Sequence, residues 1–173
     1  GFYALANMLV VLPGSLISGS MGQAYLGEAS KMVRERSREL RSLYVRTLKH
    51  LTAIAVPLIG IPALCAPFVV PFIFGGVWAE AGWFCLPLAL AVIGDMVVGA
   101  TSNLTIYGYN HWTLMWDIVR LSGVLLGFYI SKLLGISVIY TLIVYSVVMT
   151  AMYLLSIALN LKAMGNFTKR IQN

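Results

Sequence analysis

An all-α integral membrane protein is the fold class this sequence predicts, and three observations predict it. Only 10% of its 173 residues are charged, against about a quarter in a soluble domain. Mean hydropathy is +0.86. The apolar residues also fall in runs of more than 20 with almost no charge inside them, long enough for the ~30 Å hydrocarbon core of a bilayer. The predicted layout is five transmembrane helices plus one basic amphipathic helix on the cytoplasmic face.

The clearest punctuation is Phe74-Gly75-Gly76-Val77-Trp78-Ala79-Glu80-Ala81, which parts two of these runs. Gly75 and Gly76 let the chain reverse, and Trp78 and Trp83 suit the headgroup layer. The other elements follow by counting outward. Span one covers residues 2–25 and carries Asn7, Pro13, Gln23 and a series of small residues that let helices approach closely in lipid. Pro13 is expected to kink it. Residues 27–49 form the one long polar stretch, with seven Lys or Arg against Glu28, Glu35 and Glu39. Leu40, Leu43, Tyr44, Leu48 and Leu51 recur there at helical spacing, which predicts an amphipathic helix lying on the cytoplasmic surface. Its basic face orients the protein and meets anionic headgroups, or alternatively recruits an anionic substrate.

Span two, 50–74, holds Pro57, Pro62, Pro67 and Pro71. Four missing amide donors predict a helix that bends or locally unwinds, either as a moving element or as a static kink. Span three, 82–107, places Asp95 near its midpoint and Asn103 further on. A short turn over 107–112 leads to span four, 113–131, with Asp117, Arg120 and a Gly123–Gly127 pair expected to pack against another helix. Span five covers 136–160, and 161–173 is left as a tail.

Basic residues fix the expected topology. With alternating spans, the seven of the 27–49 loop and the three of the tail share one side, and Lys132 stands alone on the other. The ten mark the cytoplasm, so the C-terminus is expected inside. The chain opens on Gly1-Phe2-Tyr3 without methionine or signal-peptide features, and is expected to be the C-terminal part of a longer protein. The net charge of +6 lies in loops and not on one exposed face, so no nucleic-acid partner is expected.

No catalytic set is legible. His50 and His111 sit at span ends without matching carboxylates or thiols, and no phosphate loop, zinc spacing or nucleophile elbow occurs. Cys65 and Cys85 read as inert thiols. No cofactor or metal is expected. Asn103-Leu104-Thr105 and Asn166-Phe167-Thr168 match the glycosylation pattern but fall in a span and in the tail. The informative residues are ionisable groups inside spans, which are expensive in hydrocarbon and face a bundle interior or a cavity. Asp95 reads as a coupling site or transport-path contact, or as a buried inter-helix hydrogen bond. Asp117 and Arg120, three apart on one helix face, read as a self-compensating pair or as an anion contact through Arg120. Trp112, Trp116, Tyr107 and Tyr109 read as an aromatic belt.

Three stretches carry a resemblance. They are Gly1–Ala6 with Leu12-Pro13 and Met21-Gly22-Gln23-Ala24-Tyr25; Phe74 to Gly82; and Tyr107-Gly108 leading to Arg120. In that order the chain resembles the polysaccharide-lipid flippases, the Wzx-type O-antigen and exopolysaccharide exporters of the multidrug/oligosaccharidyl-lipid/polysaccharide superfamily. The resemblance implies the C-terminal half of a two-lobed transporter of about twelve helices, in a bacterial inner membrane, completed by an N-terminal half of the same chain. It implies an undecaprenyl-diphosphate-linked oligosaccharide as the partner. The substrate path is then expected to include Asp95, Asn103, Asp117 and Arg120. Two rival readings remain: a multidrug cation antiporter of the same superfamily, with Asp95 as its coupling acid, and a membrane enzyme of glycan assembly.

Overall fold

A computed structural model describes residues 1–37, 39–102 and 104–172, with the side chains of all of these except Pro13, Thr105 and residues 169–172. Five helices follow one another: α1 (Phe2–Arg34), α2 (Leu40–Phe74), α3 (Ala79–Thr101), α4 (Asn110–Leu133) and α5 (Val138–Gln172). Short 3-10 turns, Gly76–Trp78 and Leu104–Tyr107, precede α3 and α4. Each helix has an apolar window long enough to cross a membrane. The five expected spans are therefore present, and the described residues contain no strand.

One end of the bundle is built from rings. Gly75 adopts φ +92° at the close of α2, and the 3-10 turn then brings Trp78 edge-on to Phe2 at 5.3 Å and beside Phe74 at 6.4 Å. The opposite end carries Lys31, Arg34, Arg36, Arg41, Arg46 and Lys49 on the α1–α2 hairpin, and Lys162 on α5. These are called below the aromatic end and the basic end.

The element bounds differ from the expected ones mainly at the basic end. The stretch 27–49 is not a separate surface helix. Its first part continues α1 to Arg34 and its last part opens α2 at Leu40. The reason is that Glu, Ala, Lys, Met and Arg favour a helix as well as apolar residues do, so a helix need not stop where hydropathy falls. What stops α1 is a Schellman motif, with the Ser37 amide on the Met32 carbonyl (2.9 Å), the Arg36 amide on the Val33 carbonyl (3.2 Å) and Arg36 itself at φ +53°. The expected amphipathic period is real, but Leu40, Tyr44 and Leu51 bury their side chains in the bundle. The tail is likewise not a separate segment, because α5 runs on from the fifth span to Gln172. Ala163 and Met164 are buried there, and Phe167 lies 6.3 Å from Tyr107.

Span three ends earlier than residue 107. Ser102 leaves the helix with extended geometry (φ −83°, ψ 99°), its amide still bonded to the Val98 carbonyl. Asp95 is thus six residues from the end of α3, about 9 Å at helical rise, and not at mid-helix. Asn103 lies outside the described residues. α2 is continuous through all four of its prolines, so of the two outcomes they allow, local unwinding does not occur.

Helix α3 is the centre of the packing. It touches α1, α2 and α5, whereas α4 packs on α5 and on the second 3-10 turn. Gly82 explains how close α2 and α3 come: a Cβ there would stand 2.6 Å from the Ala66 carbonyl oxygen and 2.8 Å from Pro67 Cα. Around it Ala6, Ala55, Ala63, Ala81, Cys85 and Ala89 form a close-packed core with Leu51, Ile59 and Val70. The Gly123–Gly127 pair packs as expected, facing Val148 and Val144 of α5.

Candidate functional site

Three helices direct polar side chains into one small cavity. α3 contributes Asp95, with Ser102 at its C-terminal cap; α4 contributes Thr113, Trp116 and Arg120, and α5 contributes Tyr153 and Ser156. The α4 and α5 sets follow helical spacing on one face, because residues three, four and seven apart lie above one another. The cavity holds about 160 Å³, room for a few waters or a small ion and too little for a sugar unit.

Asp95 is exposed along one side and accepts a hydrogen bond from the Tyr153 hydroxyl at 3.2 Å. Tyr153 can lie against α3 because Gly94 has no side chain, and a Cβ at Gly94 would collide with the edge of the Tyr153 ring. Further toward the basic end, the Ser102 and Ser156 hydroxyls meet at 3.1 Å. Asn160 donates to the Ser102 hydroxyl at 3.1 Å and to the Ser156 carbonyl at 2.9 Å. Asn160 is fully buried, yet its Oδ1 has no hydrogen-bond partner among the described residues, and the same holds for the buried Thr113 hydroxyl. Buried polar atoms of this kind are ordinarily met by water.

Arg120 enters the cavity from α4. Its guanidinium donates to Asp117 Oδ1 at 3.1 Å and lies 4.6 Å from the centre of the Trp116 ring. Trp116 is itself pinned, donating its indole N–H to the Met152 carbonyl at 2.8 Å. With one carboxylate bond and a ring face engaged, most of the five guanidinium N–H donors stay available. No ion pair within 4.0 Å joins Arg120 to Asp95 among the described residues. The cavity therefore offers an acceptor on one wall and a cation on another. It can hold water, a proton or an anionic oxygen between them.

Of the four residues expected to line a path, Asp95 and Arg120 share this cavity. Asp117 reaches it only through Arg120, and Asn103 is outside the described residues. Tyr153, Ser156, Asn160 and Ser102 escaped the sequence reading. A signal for the α5 members exists: Ser146, Tyr153, Ser156 and Asn160 recur at intervals of seven, three and four, a polar stripe along an otherwise apolar helix. A second cationic feature is a wide, exposed hollow on α2 lined by Arg41, Arg46 and Lys49. His50 and His111 are exposed, and no three His, Cys, Asp or Glu side chains come together among the described residues.

Residues 1–82 match the model of a family described as Polysaccharide biosynthesis protein. The matched stretch holds α1, α2 and the turn into α3, whereas Asp95, Arg120 and Tyr153 lie beyond it. No curated protein matches the chain, and neither does any solved structure. Over its first 82 residues this membrane protein is thus similar to polysaccharide biosynthesis proteins, which supports a role in making or exporting polysaccharide.

Proposed function

We propose that this chain forms one lobe of a flippase that carries an undecaprenyl-diphosphate-linked oligosaccharide from the cytoplasmic to the periplasmic leaflet of a bacterial inner membrane. The observation that carries the reading is the family match over residues 1–82 in a chain of five membrane-length helices. The basic end faces the cytoplasm, following the excess of Lys and Arg there. The transported headgroup is too large for the cavity described above, so it passes beside this lobe, along a surface completed by the rest of the transporter. Arg120 then meets its anionic oxygens at the edge, with Asp117 holding the guanidinium in place. Asp95 and Tyr153 hold a proton or water inside the lobe. The barrier crossed is about 30 Å of hydrocarbon. Kinked or rocking helices lower it by giving the sugar a polar path while the lipid chain stays in the membrane.

A second reading, a multidrug cation antiporter, rests on Asp95, whose exposed carboxylate lacks a cationic partner within 4.0 Å among the described residues. One experiment separates the two. Cells depleted of the full-length protein are extracted for lipid-linked oligosaccharide after treatment with a membrane-impermeant sugar-modifying reagent. Complete repeat units protected on the cytoplasmic side are expected. Normal units reaching the periplasm, together with increased sensitivity to cationic drugs, would overturn the flippase and favour the antiporter.

A further inference from the structure

A groove runs along the outside of the bundle between α4 and α5, lined by Trp112, Met115, Trp116, Val119, Leu155 and Leu159, with a volume of about 270 Å³. The α4 residues stand at helical positions i, i+3, i+4 and i+7, so the groove follows the helix for about 10 Å from Trp112 to Val119. Its walls are apolar throughout. One lip is not: Lys162, at i+3 from Leu159 on α5, holds its ammonium 5.7 Å from the centre of the Trp112 ring. Lys162 has no carboxylate within 4.0 Å among the described residues. The exposed His111 ring lies beside the same indole, 6.1 Å away. An unneutralised cation at one lip of an apolar groove, at the end of the molecule where charge collects, matches a ligand with an anionic head and a hydrocarbon chain.

We propose that this groove binds an anionic phospholipid of the surrounding membrane, its phosphate meeting Lys162 and one acyl chain lying along Met115, Val119 and Leu155. Basic lips between membrane helices select anionic headgroups in this way, and the chain replaces lipid contacts that a ridged helix surface would otherwise meet poorly. The occupant also touches the polar cavity indirectly. Trp116 borders both the groove and the cavity, and its ring carries the Arg120 guanidinium. A chain seated in the groove packs against that ring and holds Arg120 in place. The proposal goes beyond the flippase reading and does not depend on it, since an antiporter would use the same groove.

The test is native mass spectrometry of the full-length protein released from detergent, with phosphatidylglycerol, phosphatidylethanolamine or a polyprenyl phosphate added in turn. Phosphatidylglycerol is expected to be retained about fivefold more than phosphatidylethanolamine, the factor one lysine near a membrane surface typically contributes. Lys162→Gln should abolish that preference and Lys162→Arg should keep it. Leu155→Trp, which fills the groove from an exposed position on its wall, should reduce retention of both phospholipids. Equal retention of the two phospholipids by the unaltered protein would overturn the proposal, as would an unchanged preference in Lys162→Gln. Displacement of phosphatidylglycerol by equimolar polyprenyl phosphate would also overturn it, because the groove would then belong to the carrier lipid.

Discussion

Gly82 and Gly94 stand on the same helix and face different kinds of neighbour. At Gly82 a side chain would meet backbone, the Ala66 carbonyl and Pro67 Cα of α2. At Gly94 it would meet a ring, that of Tyr153 on α5. The first seam is small, apolar and close, built from buried alanines with the Ala66–Pro67 backbone against Gly82. The second is wider and holds Asp95, Ser102, Tyr153 and Ser156 around a cavity. A backbone wall cannot yield, whereas a ring turns about χ1. The α2 side of α3 thus tolerates no added side chain without the helices parting, whereas on the α5 side a side-chain movement is enough; on the proposed flippase reading, a rearrangement belongs to the second seam.

The largest effect expected from this difference is at Gly82. Gly82→Leu forces α2 and α3 apart and should destabilise the protein by about 3 kcal/mol or more. Fluorescence-detected size exclusion should show little or no monodisperse protein, and a normal profile would mean that the α2–α3 seam is not rigid. Next comes Arg120→Gln in the second seam. It should keep the folded yield and lower transport by roughly tenfold, the loss expected when a charge-assisted contact worth about 1.4 kcal/mol goes. Loss of folded protein instead would make the Asp117–Arg120 pair structural.

Smaller effects sharpen the comparison. Gly94→Ala should only turn the Tyr153 ring away from Asp95, costing about 1 kcal/mol, as Tyr153→Phe should. The double variant should cost scarcely more than either alone in thermal-shift measurements, because both remove the same bond. Full additivity would show that Gly94 does not act through Tyr153. Smallest is Ser146→Ala, which removes the hydroxyl that donates to the Leu142 carbonyl and across the seam to the Pro87 carbonyl. A change of about 0.6 kcal/mol in thermal stability is expected, typical of a hydrogen bond between membrane helices. A change of several kcal/mol would show the α3–α5 seam to be held as firmly as the α2–α3 seam.

How much of this was legible in the sequence depends on whether a feature is local. The Gly75–Trp78 turn, the Gly123–Gly127 packing face and the Asp117–Arg120 pair each involve neighbours in the chain, and spacing alone located them. Hydropathy located the parts of helices that are apolar, but it cannot say where a helix ends. Hydropathy therefore sets 27–49 apart as a surface helix and 161–173 as a tail, although 27–34, 40–49 and 161–172 continue α1, α2 and α5. The cavity was half legible. Asp95 and Arg120 announce themselves because charge is costly in lipid. Tyr153, Ser156 and Asn160 do not, since each is affordable alone and gains meaning only from the α3–α5 contact across more than 50 residues.

The length of α1 and α2 has a mechanical consequence. With 33 and 35 residues, each is about 50 Å long, some 20 Å more than the hydrocarbon it needs to cross. Phe2, Phe74 and Trp78 tie one end of both helices together, so the surplus lies at the basic end, where Tyr25, Ala29, Leu40 and Tyr44 pack with Tyr107, Ala163 and Met164 below the bend at Arg36. The extension is therefore part of the bundle and moves with it. A tilt of about 10° pivoting at the aromatic end displaces a 50 Å rod's tip by about 9 Å, so a label near Glu35 would register a small tilt of the bundle as a large movement.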